Sequence, residues 1–140
     1  MRYLINKIII NSINGRILTA TTKGIYYSDN NGTTWTKSST SINPDTEIFD
    51  IALNPANPSI VYAVSAINTS TTDDMVLYIS TNGGLTFTTA SIPDNTYCTG
   101  ARFGISPANS NYAYCITLQN DVPKLLISTN NGTSWTTKTT

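Results

Sequence analysis

The chain has 140 residues, and its eight basic and eight acidic side chains give a net charge of zero. This length is that of one domain, and because only 11% of the residues are charged and the basic ones are scattered, no nucleic-acid surface is expected. No stretch is long and apolar enough to span a membrane, and the polar Asn6 and Lys7 argue against a cleaved leader.

Residues 1–39 are predicted to form a first unit of four strands. Apolar runs at 4–10, 16–21 and 24–27 alternate with turn signals, and Asn14-Gly15 is typical of a two-residue hairpin. A short alternating segment at 34–37 completes the unit. The first unit therefore predicts an antiparallel meander.

Residues 41–92 repeat this plan as a second unit. Strands are predicted at 47–53, 60–65, 75–79 and 85–89. The prolines at Pro55 and Pro58 place 54–58 in a turn, because proline lacks the N–H that a sheet ladder requires.

Residues 95–140 form a third unit, in which 105–109 repeats the Pro-Ala-Asn turn of the second. Strands are predicted at 112–117, 124–127 and 133–137. Cys115 lies in the middle of a strand, and its cross-strand partner is expected around 101–103 rather than at Cys98. We therefore expect free buried thiols, with one Cys98–Cys115 disulfide as the alternative.

The turn between the third and fourth strands of each unit carries the same motif. Its copies begin at Ser28, Ser80 and Ser128, 52 and 48 residues apart, which is typical of a repeat architecture. The Ser and Asn side chains are expected to bind backbone N–H groups, Gly permits positive φ, and the aromatic anchors the outgoing strand. The motif residues are Ser28, Asn30, Gly32, Thr34 and Trp35; Ser80, Asn82, Gly84, Thr86 and Phe87; and Ser128, Asn130, Gly132, Ser134 and Trp135.

This motif resembles the Asp-box, or BNR repeat, of sialidases, sortilin-type receptor domains, xyloglucanase-like glycoside hydrolases and photosystem II assembly propellers. The resemblance implies an all-β fold of three four-stranded antiparallel propeller blades, about 1–39, 41–92 and 95–140, in one domain. It also implies that the box is structural rather than catalytic. The chain departs from the family at Asn30, Asn82 and Asn130, where the family has Asp. Asn keeps an acceptor oxygen and loses the charge, so we expect the turn without a cation role.

Three blades are fewer than the four to eight with which propellers close, so the outer faces of the first and third blades are expected to need a cover. The expected solution is a twofold homodimer with six blades, the blade number of the sialidases that the motif resembles. The alternatives are an open arc in a larger assembly and a fragment of a longer chain.

We expect a non-catalytic structural or assembly protein that contacts itself or a larger protein assembly, with no cofactor and no metal. The main alternative is a carbohydrate-binding module that uses the rim opposite the boxes, built from the predicted loops 38–46, 66–74, 90–99 and 119–123. Tyrosine beside carboxylates and amides suits a glycan or peptide ligand. The candidate binding residues are Asp73, Asp74, Asp94, Tyr97, Arg102, Gln119 and Asp121.

The enzymatic alternative is a sialidase-like glycosidase or a fragment of one. Glycosidases need two carboxylates that flank the scissile bond. Glu47 and Asp50 stand at i and i+3 of one strand and are expected on opposite faces, as solvated charges. The chain has no His, so the usual general base is missing. Its two cysteines leave the compartment open, with an extracellular or particle-surface location favoured.

Overall fold

The computed structural model of the chain describes residues 4–40, 46–69, 72–93 and 98–138. No helix in these ranges is long and apolar enough to cross a membrane. The ranges contain the strands β1 (Ile5–Ile10), β2 (Ile17–Thr21), β3 (Gly24–Ser28), β4 (Thr36–Lys37), β5 (Ser39–Thr40), β6 (Glu47–Leu53), β7 (Val61–Thr69), β8 (Thr72–Ser80), β9 (Thr86–Thr89), β10 (Cys98–Ile105), β11 (Ala113–Gln119), β12 (Val122–Ser128) and β13 (Thr136–Lys138).

The strands form three antiparallel four-stranded meanders. The meander of the first sheet has the order β1-β2-β3-β4 and that of the third β10-β11-β12-β13. The meander of the second sheet has the order β6-β7-β8-β9, and β5 adds to it beyond β9. Each pairing within the meanders is antiparallel, and the box turn joins the third strand to the fourth in every sheet. The prediction of three all-β, four-stranded blades is therefore confirmed.

The sheets stack on one another through two apolar layers. Residues of β7 alternate between them, since Val61 and Ala63 belong to the layer with the first sheet, and Tyr62 and Val64 to the layer with the third. The first strands of the three sheets contact each other in turn, β1 with β6 and β6 with β10. The arrangement is a succession of stacked sheets, as predicted, rather than one sandwich or barrel.

The segment that leaves each sheet runs along the outer strand of the next sheet. After the first sheet, β5 pairs in parallel with β9, through Ser39 opposite Thr86 and Thr40 opposite Phe87. After the second sheet, Ser91 forms a parallel bridge with Ser134. These short parallel pairings, which the sequence analysis missed, tie neighbouring sheets together through their backbones.

The hairpin of β7 and β8 is longer than predicted. The two strands stay paired up to Thr69 opposite Thr72, so the predicted loop at 66–74 is wrong. The threonines that suggested a polar loop are β-branched and equally suit a strand. Asp73 and Asp74 consequently lie on β8 rather than in a loop.

The two thiols are free and buried, and the expected pairing is confirmed. Cys115 lies opposite Phe103 on β10, within the predicted range 101–103, while Cys98 lies opposite Gln119. Burial raises the pKa of both thiols, most strongly that of Cys115. They therefore act as small apolar groups in the second layer.

Candidate functional site

The box turn is closed by its own side chains. In the first copy Ser28 Oγ accepts a hydrogen bond from Gly32 N and donates to Asn30 Oδ1, both at 2.9 Å. Asn30 Oδ1 accepts from Thr34 N at 2.9 Å, and Asn30 Nδ2 donates to Thr34 Oγ1 at 2.8 Å. The second and third copies repeat all four bonds. Asn thus fills the Asp position and also donates to the hydroxyl, which a carboxylate could not do.

The aromatic residue of each box is placed to pack on the preceding sheet. Phe87 is 2% exposed and belongs to the layer against the first sheet, and Trp135 is 4% exposed in the layer against the second. Trp35 occupies the same position in the first sheet, which has no neighbouring sheet on that side among the described residues, and is 43% exposed. Identical local motifs thus differ in burial only because one of them lacks a neighbour.

The box glycine lies against the same position of the preceding sheet. A Cβ on Gly84 would come within 2.5 Å of Leu18, and one on Gly132 would overlap the Tyr62 ring. Gly32 has the same backbone conformation, φ +82°, but a Cβ there would meet only Trp35 of its own box, at 3.8 Å. We call the contact between a box glycine and the side chain of the preceding sheet that lies against it a joint. Gly84 and Gly132 take part in filled joints, whereas, among the described residues, no side chain of another sheet lies against Gly32.

Polar side chains lock the filled joints at their rim. Asn11 donates to the Pro58 carbonyl at 3.0 Å, and Asn54 donates to the Ser110 carbonyl at 2.7 Å, one sheet further on. Both asparagines directly follow the first strand of their sheet. Each of these two equivalent hydrogen bonds joins the turn after the first strand of one sheet to the corresponding turn of the next sheet.

Arg16 links two consecutive boxes. Its guanidinium forms two bonds to the Asp29 carboxylate, at 2.6 and 2.9 Å, and a third to the Gly83 carbonyl at 3.1 Å. The hydrogen bond from Arg16 lowers the pKa of Asp29. The guanidinium also lies 5.0 Å from the centre of the Tyr27 ring.

The outward face of the first sheet is apolar and uncovered. Ile8 is 58% exposed and Ile5 and Ile10 are more so. A cleft of about 360 Å³ lies on this face. Its lining residues are Ile5, Ile8, Thr19, Thr21, Tyr26 and Trp35.

The outward face of the third sheet is apolar as well. Alternation along β11 buries Ala113 and Cys115 against the second sheet and turns Tyr114, Ile116 and Leu118 outward. Ile116 is 45% exposed. Two shallow hollows of about 390 and 460 Å³ flank Ile116, lined mainly by residues of β11 and β12. The stack thus ends in two uncovered faces, as the blade count predicts.

The carboxylates of β6 differ from the prediction. Asp50 is buried, its oxygens held by Lys7 Nζ at 2.8 Å and by Phe103 N at 2.7 Å, so the expected solvated charge is wrong. The register shift between Ile48 and Asp50 puts Glu47 and Asp50 on the same side of the sheet by register, so the prediction of opposite faces is also wrong. Glu47 accepts a hydrogen bond from Asn6 Nδ2 at 3.0 Å. Both carboxylates are thus engaged with the first sheet.

The predicted rim residues that the structure describes lie on β8, on β10, at the end of β11 and in the turn that follows it. Arg102 is exposed on β10, and its guanidinium donates to the carbonyls of Phe49 and Ala101. Gln119 is buried at the end of β11, 3.9 Å from Met75 Sδ, and Asp121 is exposed in a two-residue turn. Asp73 and Asp74 lie on β8 opposite Asn68 and Ile67. Asp94 and Tyr97 lie outside the described residues, and the binding role of the set stays a prediction.

The absence of a metal also stays a prediction. In the described ranges, no group of three or more His, Cys, Asp or Glu is clustered so that it could hold a metal ion.

The comparisons with known proteins concern both sequence and fold. The family model Sortilin-Vps10, described as sortilin, neurotensin receptor 3, matches residues 4–130. No curated protein matches the sequence.

Solved structures of similar fold include an ancestral GH74 enzyme, with a TM-score of 0.76 and 18% identity over 94% of this chain. The NanB sialidase from Streptococcus pneumoniae matches with a TM-score of 0.55 and 16% identity over 89% of this chain. The matches cover 18% and 21% of those two chains, so this chain spans about a fifth of their length. At such identity the likeness is one of fold.

Proposed function

The chain belongs to the Sortilin-Vps10 family, and we propose that it is a non-catalytic assembly module whose two end faces cover each other in a twofold homodimer with a closed ring of six blades. The observation that carries this proposal is the burial of the box aromatics. Phe87 and Trp135 each pack on a preceding blade, and Trp35, at the same position, has none. The missing neighbour is therefore a blade.

The exposed apolar side chains favour the same conclusion. Apart from 39–40, 66–69 and 72–74, whose side-chain exposure is not described, the exposed large hydrophobics of the described residues lie in the first and third sheets or their turns. The second sheet lies between these two sheets and is covered on both sides. The exposed side chains are Leu4, Ile5, Ile8, Ile10, Ile13, Trp35, Tyr112, Ile116, Leu118 and Val122. Patches of this kind mark interaction surfaces on soluble proteins.

A second copy supplies both missing neighbours at once. The uncovered face of the third blade in one copy can pack on the uncovered face of the first blade in the other copy. The same contact forms a second time with the roles of the two copies exchanged. Such a head-to-tail contact made twice around a twofold axis is closed, so no apolar face is left over.

The energy of covering these faces is sufficient for association. The ten side chains are between 36% and 78% exposed, and completing their burial contributes about 1 kcal/mol per side chain on average. Twenty such side chains in a dimer contribute about 20 kcal/mol, against an association cost of about 4–15 kcal/mol. The balance favours the dimer.

The contacts of the β6 carboxylates support a non-catalytic role. Asp50 is buried and paired with Lys7, so its carboxylate is not open to a substrate, and Glu47 accepts a hydrogen bond from Asn6. Turnover of a fluorogenic sialoside that is lost in Glu47→Gln would contradict this part of the proposal. Binding on a glycan array that is lost in Asp121→Asn would favour the carbohydrate-binding alternative.

Light scattering on the purified chain tests the assembly. We expect a mass of twice 15.2 kDa for the wild type and a folded monomer for Ile116→Lys, which places a charge on the third blade's outer face. Thr89→Lys, also at an exposed position but on the second blade, is the control and should stay dimeric. A stable wild-type monomer at high concentration would overturn the proposal, and an open polymer would favour the arc over the ring.

A further inference from the structure

We infer that the joint between two copies is made by Tyr114 of one copy, seated against Gly32, Trp35 and Ile8 of the other. This inference rests on the proposed homodimer and adds which residues make its contact. The chain already contains two joints of the same geometry, at Gly84 and Gly132. We expect the joint at Gly32 to need the same kinds of side chain at the same register positions.

The first joint, between the first and second blades, has Leu18 as its inserted residue. Leu18 is fully buried and contacts the position where a Cβ of Gly84 would lie. Phe87 of the same box and Ile51 of β6 belong to the same apolar layer. A side chain from β2 thus lies against the box glycine of the next blade, in one apolar layer with the box aromatic and a first-strand residue of that blade.

The second joint, between the second and third blades, repeats this arrangement with larger groups. Tyr62 takes the place of Leu18 and lies against Gly132. Its ring centre is 6.4 Å from that of Trp135, edge to face, and 6.0 Å from that of Phe103. The three rings form one aromatic cluster in the second layer.

The register of the sheets identifies Tyr114 as the third member of the series. Leu18, Tyr62 and Tyr114 each follow the residue that pairs with the box serine, which is Ile17 in the first blade, Val61 in the second and Ala113 in the third. The phenol of Tyr114 lies on the uncovered face of the third blade. It is therefore an inserted residue without a receiving pocket in its own chain.

The same register identifies the receiving pocket on the first blade. Ile8 lies opposite Thr19, as Ile51 lies opposite Ala63 and Phe103 opposite Cys115, two residues beyond the box-paired position in each case. Ile8 and Trp35 line the 360 Å³ cleft on the outward face of the first blade. Gly32 stands beside Trp35 with open space where Gly84 and Gly132 meet a side chain. The first blade therefore has a receiving pocket without an inserted residue.

Dimer dissociation constants of matched variants test this joint. Gly32→Asn tolerates the positive φ but fills the space that Tyr114 is to occupy, and we expect about ten-fold weaker association or more. Gly15→Asn is the control, because Gly15 also has positive φ, +73°, with nothing within 4 Å of a Cβ, and it should leave the dissociation constant unchanged. Tyr114→Ala should weaken the dimer to a similar degree.

The double variant, which combines Gly32→Asn with Tyr114→Ala, separates direct contact from two independent effects. If position 32 of one copy faces position 114 of the other, the smaller side chain makes room for the larger one, and the loss in the double variant is smaller than the product of the two single losses. Simple multiplication of the two losses, or a dimer that tolerates both single changes, would overturn the inference while leaving the dimer in place. A wild-type chain that stays monomeric would instead show that the proposed dimer itself is wrong. Circular dichroism and urea unfolding of each variant confirm that it is folded.

Discussion

Replacing Trp35 and Trp135 by alanine distinguishes a residue that holds the fold from one that holds the assembly. The two tryptophans occupy the same position of the same turn, but Trp135 is 4% exposed and Trp35 43% exposed in the single chain. Trp135→Ala empties a filled layer, so we expect the free energy of unfolding to fall by about 3–5 kcal/mol. Trp35→Ala removes a side chain that is only about half covered, so we expect the free energy of unfolding to fall by about 1–2 kcal/mol.

The effect on the dimer is expected to have the opposite order. The exposed part of Trp35 amounts to about 100 Å² of a large aromatic side chain, so covering it contributes about 2.5 kcal/mol per copy. Both copies contribute one Trp35, which makes about 5 kcal/mol per dimer. Trp35→Ala should therefore raise the dissociation constant roughly a thousand-fold or more.

Two measurements check this prediction. Sedimentation equilibrium gives the dissociation constant, and urea unfolding at concentrations well below it gives the stability of the monomer without the contribution of association. The reasoning is refuted if Trp35→Ala remains folded and associates within about two-fold of the wild type. It is also refuted if the two variants lose the same unfolding free energy.

Three further predictions concern the single chain. Gly132→Ala should lower the free energy of unfolding by about 2–5 kcal/mol, because the new Cβ overlaps the Tyr62 ring. Gly15→Ala, also at positive φ but in open space, should lower it by about 1–2 kcal/mol. Equal losses in urea unfolding would contradict the packing of Tyr62 against Gly132. Asn82→Asp should raise stability at neutral pH, because the turn hydrogen bonds to the carboxylate lower its folded pKa. This gain relative to the wild type should vanish as the pH falls below about 4, and a gain that persists in acid would contradict this account. Burial raises the pKa of Cys115 in the folded state, so its contribution to stability is present below pH 9.0, the ordinary thiol value, and is lost as the pH rises above it; Cys115→Ala should flatten this alkaline loss, and an unchanged slope would show that the thiol is not its cause.

The features that were predictable from the sequence depend on residues close together in the chain. The box turn closes through four hydrogen bonds within seven residues, from Ser28 to Thr34, so its chemistry can be read directly from the motif. Two of these bonds join side chains, and two join a backbone N–H to a side-chain oxygen. Strand positions followed from apolar runs of period two between such turns. The pairing of Cys115 followed from counting through one turn.

The features that sequence analysis missed depend on contacts between distant residues. Asn11 and Pro58 are 47 residues apart, and the hydrogen bond between them forms only when two blades are stacked. Asp50 has a sequence context typical of a solvated strand charge and is buried because Lys7 and the Phe103 N–H meet it from two other sheets. The long β7–β8 hairpin was missed because a Thr-rich polar segment fits a loop and a strand equally well.

The three boxes separate what local chemistry decides from what stacking decides. Ser, Asn, Gly and an aromatic at fixed spacing are enough to specify the turn, since its hydrogen bonds and positive φ are satisfied within one short segment. Whether the aromatic is buried depends on the sheet that precedes it, and a motif carries no information about its neighbour. Phe87 and Trp135 are therefore core residues and Trp35 a surface residue, because burial is a property of the assembled stack rather than of the box.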